Sequence, residues 1–258
     1  MDDKTIQFIL ASHSMPSKLN GKSVDSGYGV EDIDFLAKKW ALEQSVNYID
    51  LGSFFNGVLA GKPDDDSQIQ KSINKNTKSI TGAIQIRPGD WYWISLLNFY
   101  AMGNIEEKQR LVIPFLLNPG GARDNHFIVM GFDFDPKSSA VDIILLEQHA
   151  MNKNETVYDE LLDYSDMTDV LLRAIKKYCE QFLHYSNVNV AKNEKPISRR
   201  KRVCGVVASE IARQILSVDS LKEFVNNLPK LSDNEIDKLH QRNKNYSQNI
   251  QLQGREAR

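Results

Sequence analysis

Two cysteines, Cys179 and Cys204, and five histidines are the nucleophiles and bases of this 258-residue chain. Cys204 opens the run Cys-Gly-Val-Val-Ala-Ser-Glu-Ile-Ala-Arg-Gln-Ile-Leu216, which has the make-up of an apolar helix. A thiol in the first turn of a helix meets unpaired N–H groups and the positive end of the macrodipole, and here Arg199-Arg-Lys-Arg202 stands just upstream. Both lower a thiol pKa and favour the reactive thiolate. Cys179 sits among helix formers in mid-helix and reads as a packing residue. Neither has close Cys or His neighbours at metal-ligand spacing, so the chemistry to expect is that of a thiol, not a metal.

Among the histidines, His13 and His240 lie in the terminal regions and His184 near a helix end, all positions that read as surface. His126 begins the apolar run His-Phe-Ile-Val-Met-Gly-Phe-Asp-Phe-Asp135 after a Gly-rich turn, where a strand-end side chain projects toward a site. Glu147 ends the next run, Ala140 to Glu147, 21 residues later. Two antiparallel strands joined by a tight loop at Pro136 to Ser139 bring those two ends together. Glu147 then accepts the Nδ1–H of His126 while Nε2 faces Cys204, a Cys-His-Glu triad.

The elements that must position these residues follow from hydrophobic periodicity. Ile33, Leu36, Ala37, Trp40 and Ala41 describe one face of a helix over Val30 to Glu43. Strands are expected at Thr5–Ser12 (or a short buried helix), Ala83–Ile86, Leu111–Leu117, His126–Asp135, Ala140–Glu147 and Val188–Val190. Helices are expected at Trp91–Met102 with Asp90 as N-cap, at Asp166–Tyr185 with Val170, Leu171, Ala174, Tyr178 and Phe182 on its apolar face, and from Cys204 to about Leu216. The polar stretch Gly61 to Ser79, with Asp64-Asp65-Asp66, reads as an exposed insertion or hinge. Ser232-x-x-Glu235 carries the capping-box pattern for a short helix before a polar, partly disordered tail. The pattern is α+β: a small, mostly antiparallel central sheet flanked by helices. It divides into an N-terminal accessory region over 1–80, a core over 81–230 and a polar C-terminal tail over 231–258.

Composition narrows the class. Lys and Arg number 32 against 34 Asp and Glu, a net charge of −2, so no global field favours nucleic acid. No apolar run reaches the roughly 18 to 20 residues of a membrane span, and Met-Asp-Asp-Lys lacks the layout of a signal peptide. Two cysteines in a chain this long point to a reducing compartment.

The order His, acid about 20 residues on, then Cys-Gly opening a helix resembles the cysteine proteases of ubiquitin-like modifiers, the adenain-like or SUMO-protease superfamily. Trp91-Tyr-Trp-Ile-Ser-Leu-Leu-Asn-Phe-Tyr100 is similar to that family's Trp-Leu-Asn-Asp-x-Ile-Ile-Asn-Phe-Tyr helix, and Val112-Ile-Pro-Phe115 and His126-Phe127 echo its strand motifs. The resemblance spans residues 90 to 216 and implies a papain-like or adenain-like cysteine protease core. It makes Cys204 the nucleophile, His126 the general base and Glu147 the orienting acid. Trp91 and Phe127 become a substrate-binding tunnel over the Gly-Gly tail of a modifier, with no cofactor and no metal. The family's Gln six residues before the Cys is Ser198 here, which moves the side-chain oxyanion donor to Asn193. The implied function is a thiol isopeptidase acting on ubiquitin or a ubiquitin-like protein and its conjugates. Two alternatives stay open: an acetyltransferase of the YopJ type using the same triad, with Arg199 to Arg202 as its anion pocket, and a catalytically weak modifier-binding module. Glu147 and the Leu-Leu-Glu strand end look closer to bacterial members, which implies a cytoplasmic site of action, as an effector secreted into a host cytosol.

Overall fold

The computed structural model describes residues 18–50, 77–86, 92–94, 96–98, 107–118, 125–149 and 162–256. The expected segment Thr5–Ser12, residues 61–76 of the polar stretch, Asp90 and Trp91 lie outside the described residues; the end of that stretch, expected to be exposed, enters the strand Lys78–Thr81, where Ser79 is buried.

Helix α1 (Val30–Glu43) precedes strands β1 (Asn47–Ile49), β2 (Lys78–Thr81) and β3 (Ile84–Ile86). The long strands β4 (Gln109–Leu117), β5 (His126–Asp135) and β6 (Ala140–Glu147) follow, then α2 (Leu162–Gln181), β7 (Asn187–Lys192), α3 (Cys204–Ser217), α4 (Leu221–Asn226) and α5 (Asp233–Glu256). One seven-stranded sheet runs β1-β2-β4-β5-β6-β7, with β3 also on β4. Its middle, β4-β5-β6, is antiparallel, as expected, whereas β1, β2, β3 and β7 join in parallel. The sheet is thus larger and more mixed than the periodicity of the long strands alone suggests, because β1, β2 and β3 are only three or four residues each.

The long strands are apolar without alternation because both faces are covered. Val112, Leu116, Phe127, Val129, Ile144 and Leu146 face the cluster that holds α1 and α3. Leu111, Ile113, Phe115, Ile128, Met130, Phe132, Ile143 and Leu145 face the cluster of α2, Trp93, Leu96 and Leu97. Gly131 lets α3 lie close on the sheet: a Cβ there would stand 3.0 Å from Ile144 and 3.3 Å from Ile215.

Four expectations change. On α2 the buried set is Leu171, Leu172, Ile175 and Cys179, while Val170 is 49% exposed and Phe182, past the helix end, 66%. The sheet selects the 171/175/179 stripe, one step round from the one expected. Residues Tyr92–Ile94 form a 3-10 turn within the stretch expected as α-helix. The polar tail is mostly α5, 24 residues long, which packs on α3 and buries Ile236 and the polar residues His240, Asn243 and Ser247. Few apolar residues are needed there because hydrogen bonds satisfy the buried face. The boundary expected at residue 80 falls inside β2, and α1 packs on α3. No helix among the described residues is long and apolar enough to cross a membrane.

Candidate active site

In the β5–β6 register Ile128 stands opposite Glu147, and Leu117 of β4 opposite His126. His126 and Glu147 are therefore diagonal neighbours on one pleat face. Diagonal Cβ atoms are about 7–8 Å apart, within reach of a long side chain. Glu147 Oε2 lies 3.0 Å from His126 Nε2, with both residues buried. That reverses the expected use of the ring nitrogens: Nε2–H donates to the carboxylate, and Nδ1 is left for Cys204. Residue spacing carries no information about which edge of the imidazole faces β6.

Cys204 begins α3 and is half-buried. Burial alone would raise its pKa, but the hydrogen bond and positive charge of His126, with the backbone amides of Phe127 and Gly205, hold the thiol below its ordinary value. Phe127 stands beyond the last β5–β6 pair, and its amide is available to sulfur. Burial disfavours the His126 cation, yet the hydrogen bonds and charges of Cys204 and Glu147 push its pKa up to about 10. The two shifts run in opposite directions, each group favouring the charged form of the other. The first turn of α3 suits a thiolate because Val203, at the N-cap, supplies no side-chain acceptor to its amides. Cys179 differs: fully buried, its thiol is pushed up to about 12 by desolvation.

The loop before Cys204 is sewn to the strand end that carries Glu147. The Gln148 carbonyl accepts the amides of Ile197 (2.8 Å) and Ser198 (3.2 Å), and Gln148 Nε2 donates to the Arg200 carbonyl. Asn193 Oδ1 accepts the Glu147 amide at 3.0 Å, and Nδ2 donates to the carbonyls of Glu147 at 2.9 Å and Lys195 at 3.0 Å. Both amide hydrogens of Asn193 are thus committed, and it has none for an oxyanion; the residue is a clamp on Glu147. Phe127, expected at a substrate tunnel, has a side chain that is 2% exposed and belongs to the core beneath α3. Trp91 lies outside the described residues.

Gly205 is required by close approach: a Cβ on it would come within 2.5 Å of the Tyr28 Cβ. Tyr28 is held by a buried polar network, its hydroxyl 3.0 Å from His240 Nδ1 and 3.3 Å from Asn243 Nδ2, with Asn243 Nδ2 also donating to Ser209 Oγ at 3.2 Å. His240, expected at the surface, is 6% exposed and part of this backing. In the basic run, Arg200 is committed to Asp25 and Asp237.

One residue beside His126 was missed. The His149 ring lies 6.1 Å from that of His126 at an interplanar angle of 22°. The pattern Glu147-x-His149 on one pleat face was the available signal.

By sequence, no family model and no curated protein matches the chain. By structure, residues 1–487 of the Legionella pneumophila effector protein RavZ are similar, with 13% identity and a TM-score of 0.50 over 91% of this chain and 66% of that one. The likeness is one of fold. A de-sumoylating protease (12% identity, TM-score 0.44, 89% of this chain and 83% of that) and the SUMO protease Ulp1 (12%, 0.41, 98% and 96%) are more distant matches. The chain spans about two thirds of the RavZ chain at most, and 45% of another RavZ structure. Among the described residues no cluster of three or more His, Cys, Asp or Glu could hold a metal ion.

Proposed function

We propose that the chain is a thiol isopeptidase that releases ubiquitin or a ubiquitin-like modifier from its conjugates. The observation that carries the thiol chemistry is the continuous line from Glu147 through His126 to a Cys204 whose pKa is held down at the open end of α3. The modifier as substrate rests on the family resemblance of the motifs around Trp91, Pro114, His126 and Cys204.

Cys204 Sγ attacks the carbonyl carbon of the modifier's last residue. The developing oxyanion is stabilised by first-turn amides of α3, since Asn193 is spent on Glu147. The imidazolium of His126 gives its proton to the leaving lysine amine as the C–N bond breaks, and a thioester forms. His126 then takes a proton from water, the hydroxide oxygen adds to the thioester, and thiolate leaves a carboxylic acid that gives its proton to solvent, with the imidazolium restored. Glu147 keeps the ring oriented and its positive charge stabilised throughout.

A panel of ubiquitin and SUMO proteins with C-terminal electrophiles tests the proposal. Wild type should form a covalent adduct with at least one, and Cys204→Ala should form none. Labelling that persists in Cys204→Ala, or that moves to Cys179, overturns it.

A further inference from the structure

We infer that His149 is a positioning residue for His126, a neutral brace that keeps the base in line with Cys204 and gives way when it takes up a proton. The inference rests on the reading of His126 as general base. Carrying the β5–β6 register two residues past the Ile128–Glu147 pair sets His149 opposite His126. There the two rings lie nearly parallel, with centroids 6.1 Å apart.

The brace is itself anchored. His149 sits against the backbone of Ser198, whose amide is held by the Gln148 carbonyl at 3.2 Å. Ser198 is six residues before Cys204. The imidazole therefore sits where the strand end bearing the acid, the face of the base and the loop that leads to Cys204 meet.

The charge state follows from the groups that face His149. From β5 it meets His126, from its own strand end Glu147, and from the loop the Ser198 carbonyl. Burial first, then the like charge of His126, lower its pKa below the ordinary histidine value, against the opposing pull of Glu147 and the carbonyl. With His126 as imidazolium, His149 stays neutral at neutral pH. A proton on His149 would set two cations ring to ring over one carboxylate, and His149 would compete for Glu147. Loss of the thiolate in acid should therefore involve two coupled protons.

The test follows iodoacetamide alkylation of Cys204 in the full chain, resolved from Cys179 by mass spectrometry, across about pH 4.5 to 8. This reads the thiolate without any modifier substrate. His149→Ala should slow alkylation at pH 7 by about three- to tenfold, the effect of up to about one pH unit on the thiol. His149→Phe keeps a flat ring that cannot titrate. It should react within about twofold of wild type at pH 7, with an acid limb that is less steep and lies at lower pH. Alkylation of His149→Ala equal to wild type at every pH overturns the inference, as does a His149→Phe limb identical to wild type. If His149→Ala does not fold, the His149→Phe limb decides alone. The two readings fail differently: if His126→Ala also leaves alkylation unchanged, the base assignment itself is wrong.

Discussion

The two ends of α3 are treated in opposite ways. At its N-terminus the cap residue Val203 offers no side-chain acceptor, and the leftover amide of Gly205 serves the Cys204 sulfur. At its C-terminus the leftover carbonyls are saturated with cationic donors. Arg110 Nη1 donates to the carbonyls of Ile215 (2.9 Å) and Val218, its Nη2 to that of Asp219 (3.1 Å), and Lys78 Nζ to that of Leu216 (3.0 Å). Arg110 is held in place by a two-point pair with Asp133 at 2.6 and 2.7 Å, where Lys108 also lies 3.2 Å away. Cations at a helix C-terminus complement its macrodipole. One end secures the helix to the sheet through strands β2, β4 and β5, and this leaves the other end free to spend its hydrogen-bonding capacity on sulfur.

The contrast can be broken end by end. Glu147→Gln strikes only the open end. It should cut turnover of a reactive modifier substrate about a hundredfold or more, with little change in melting temperature, because the imidazolium loses its counter-charge. Arg110→Ala strikes the closed end. It leaves Asp133 buried against a single partly exposed lysine and strips three carbonyls of their donor, so urea unfolding should show a loss of about 3–5 kcal/mol. Cys204 alkylation in the fraction still folded should be near normal. If Arg110→Ala instead abolishes alkylation in folded protein, the two ends are not separable. Gly205→Ala sits at the junction: the clash with Tyr28 should cost about 1–3 kcal/mol in thermal or urea unfolding and displace the first turn, so that stability and alkylation fall together.

The smallest effect lies between the ends. Glu210 is buried, which raises its pKa, but Arg213, Arg242 and Gln214 outweigh this and hold the carboxyl below its ordinary value. Its contribution is present above about pH 4.5 and is lost as pH falls through the lowered folded value. Melting temperature should therefore drop in acid, and Glu210→Gln should flatten that drop.

Where one feature dominates locally, the sequence was legible. The β5 and β6 boundaries, the helix Val30–Glu43 and the start of α3 at Cys204 came from unbroken apolar runs, a hairpin loop and helical spacing. The nearness of His126 to Glu147 followed from the hairpin alone. What tertiary contacts decide was not legible. Which stripe of α2 is buried depends on the sheet face it meets. The role of Asn193 depends on β7 running beside β6, which sets the residue after its end against Glu147, and the ring nitrogen that faces Glu147 depends on how the His126 ring is turned. A polar helix such as α5 looks like a disordered tail until its partners Tyr28 and Ser209, about 30 to 220 residues away in sequence, are in place.

The spacing of the site has a consequence for how the protein reaches activity. His126 and Glu147 share one hairpin and can meet as soon as it closes, on the microsecond scale of such loops. Cys204 joins them only after α3 has crossed back over β4, β5 and β6, a contact between distant parts of the chain and so a late one. During synthesis the thiol emerges as an ordinary cysteine with no base beside it. The lowered thiol pKa depends on the docking of one helix, so in a chain still folding Cys204 is an ordinary thiol.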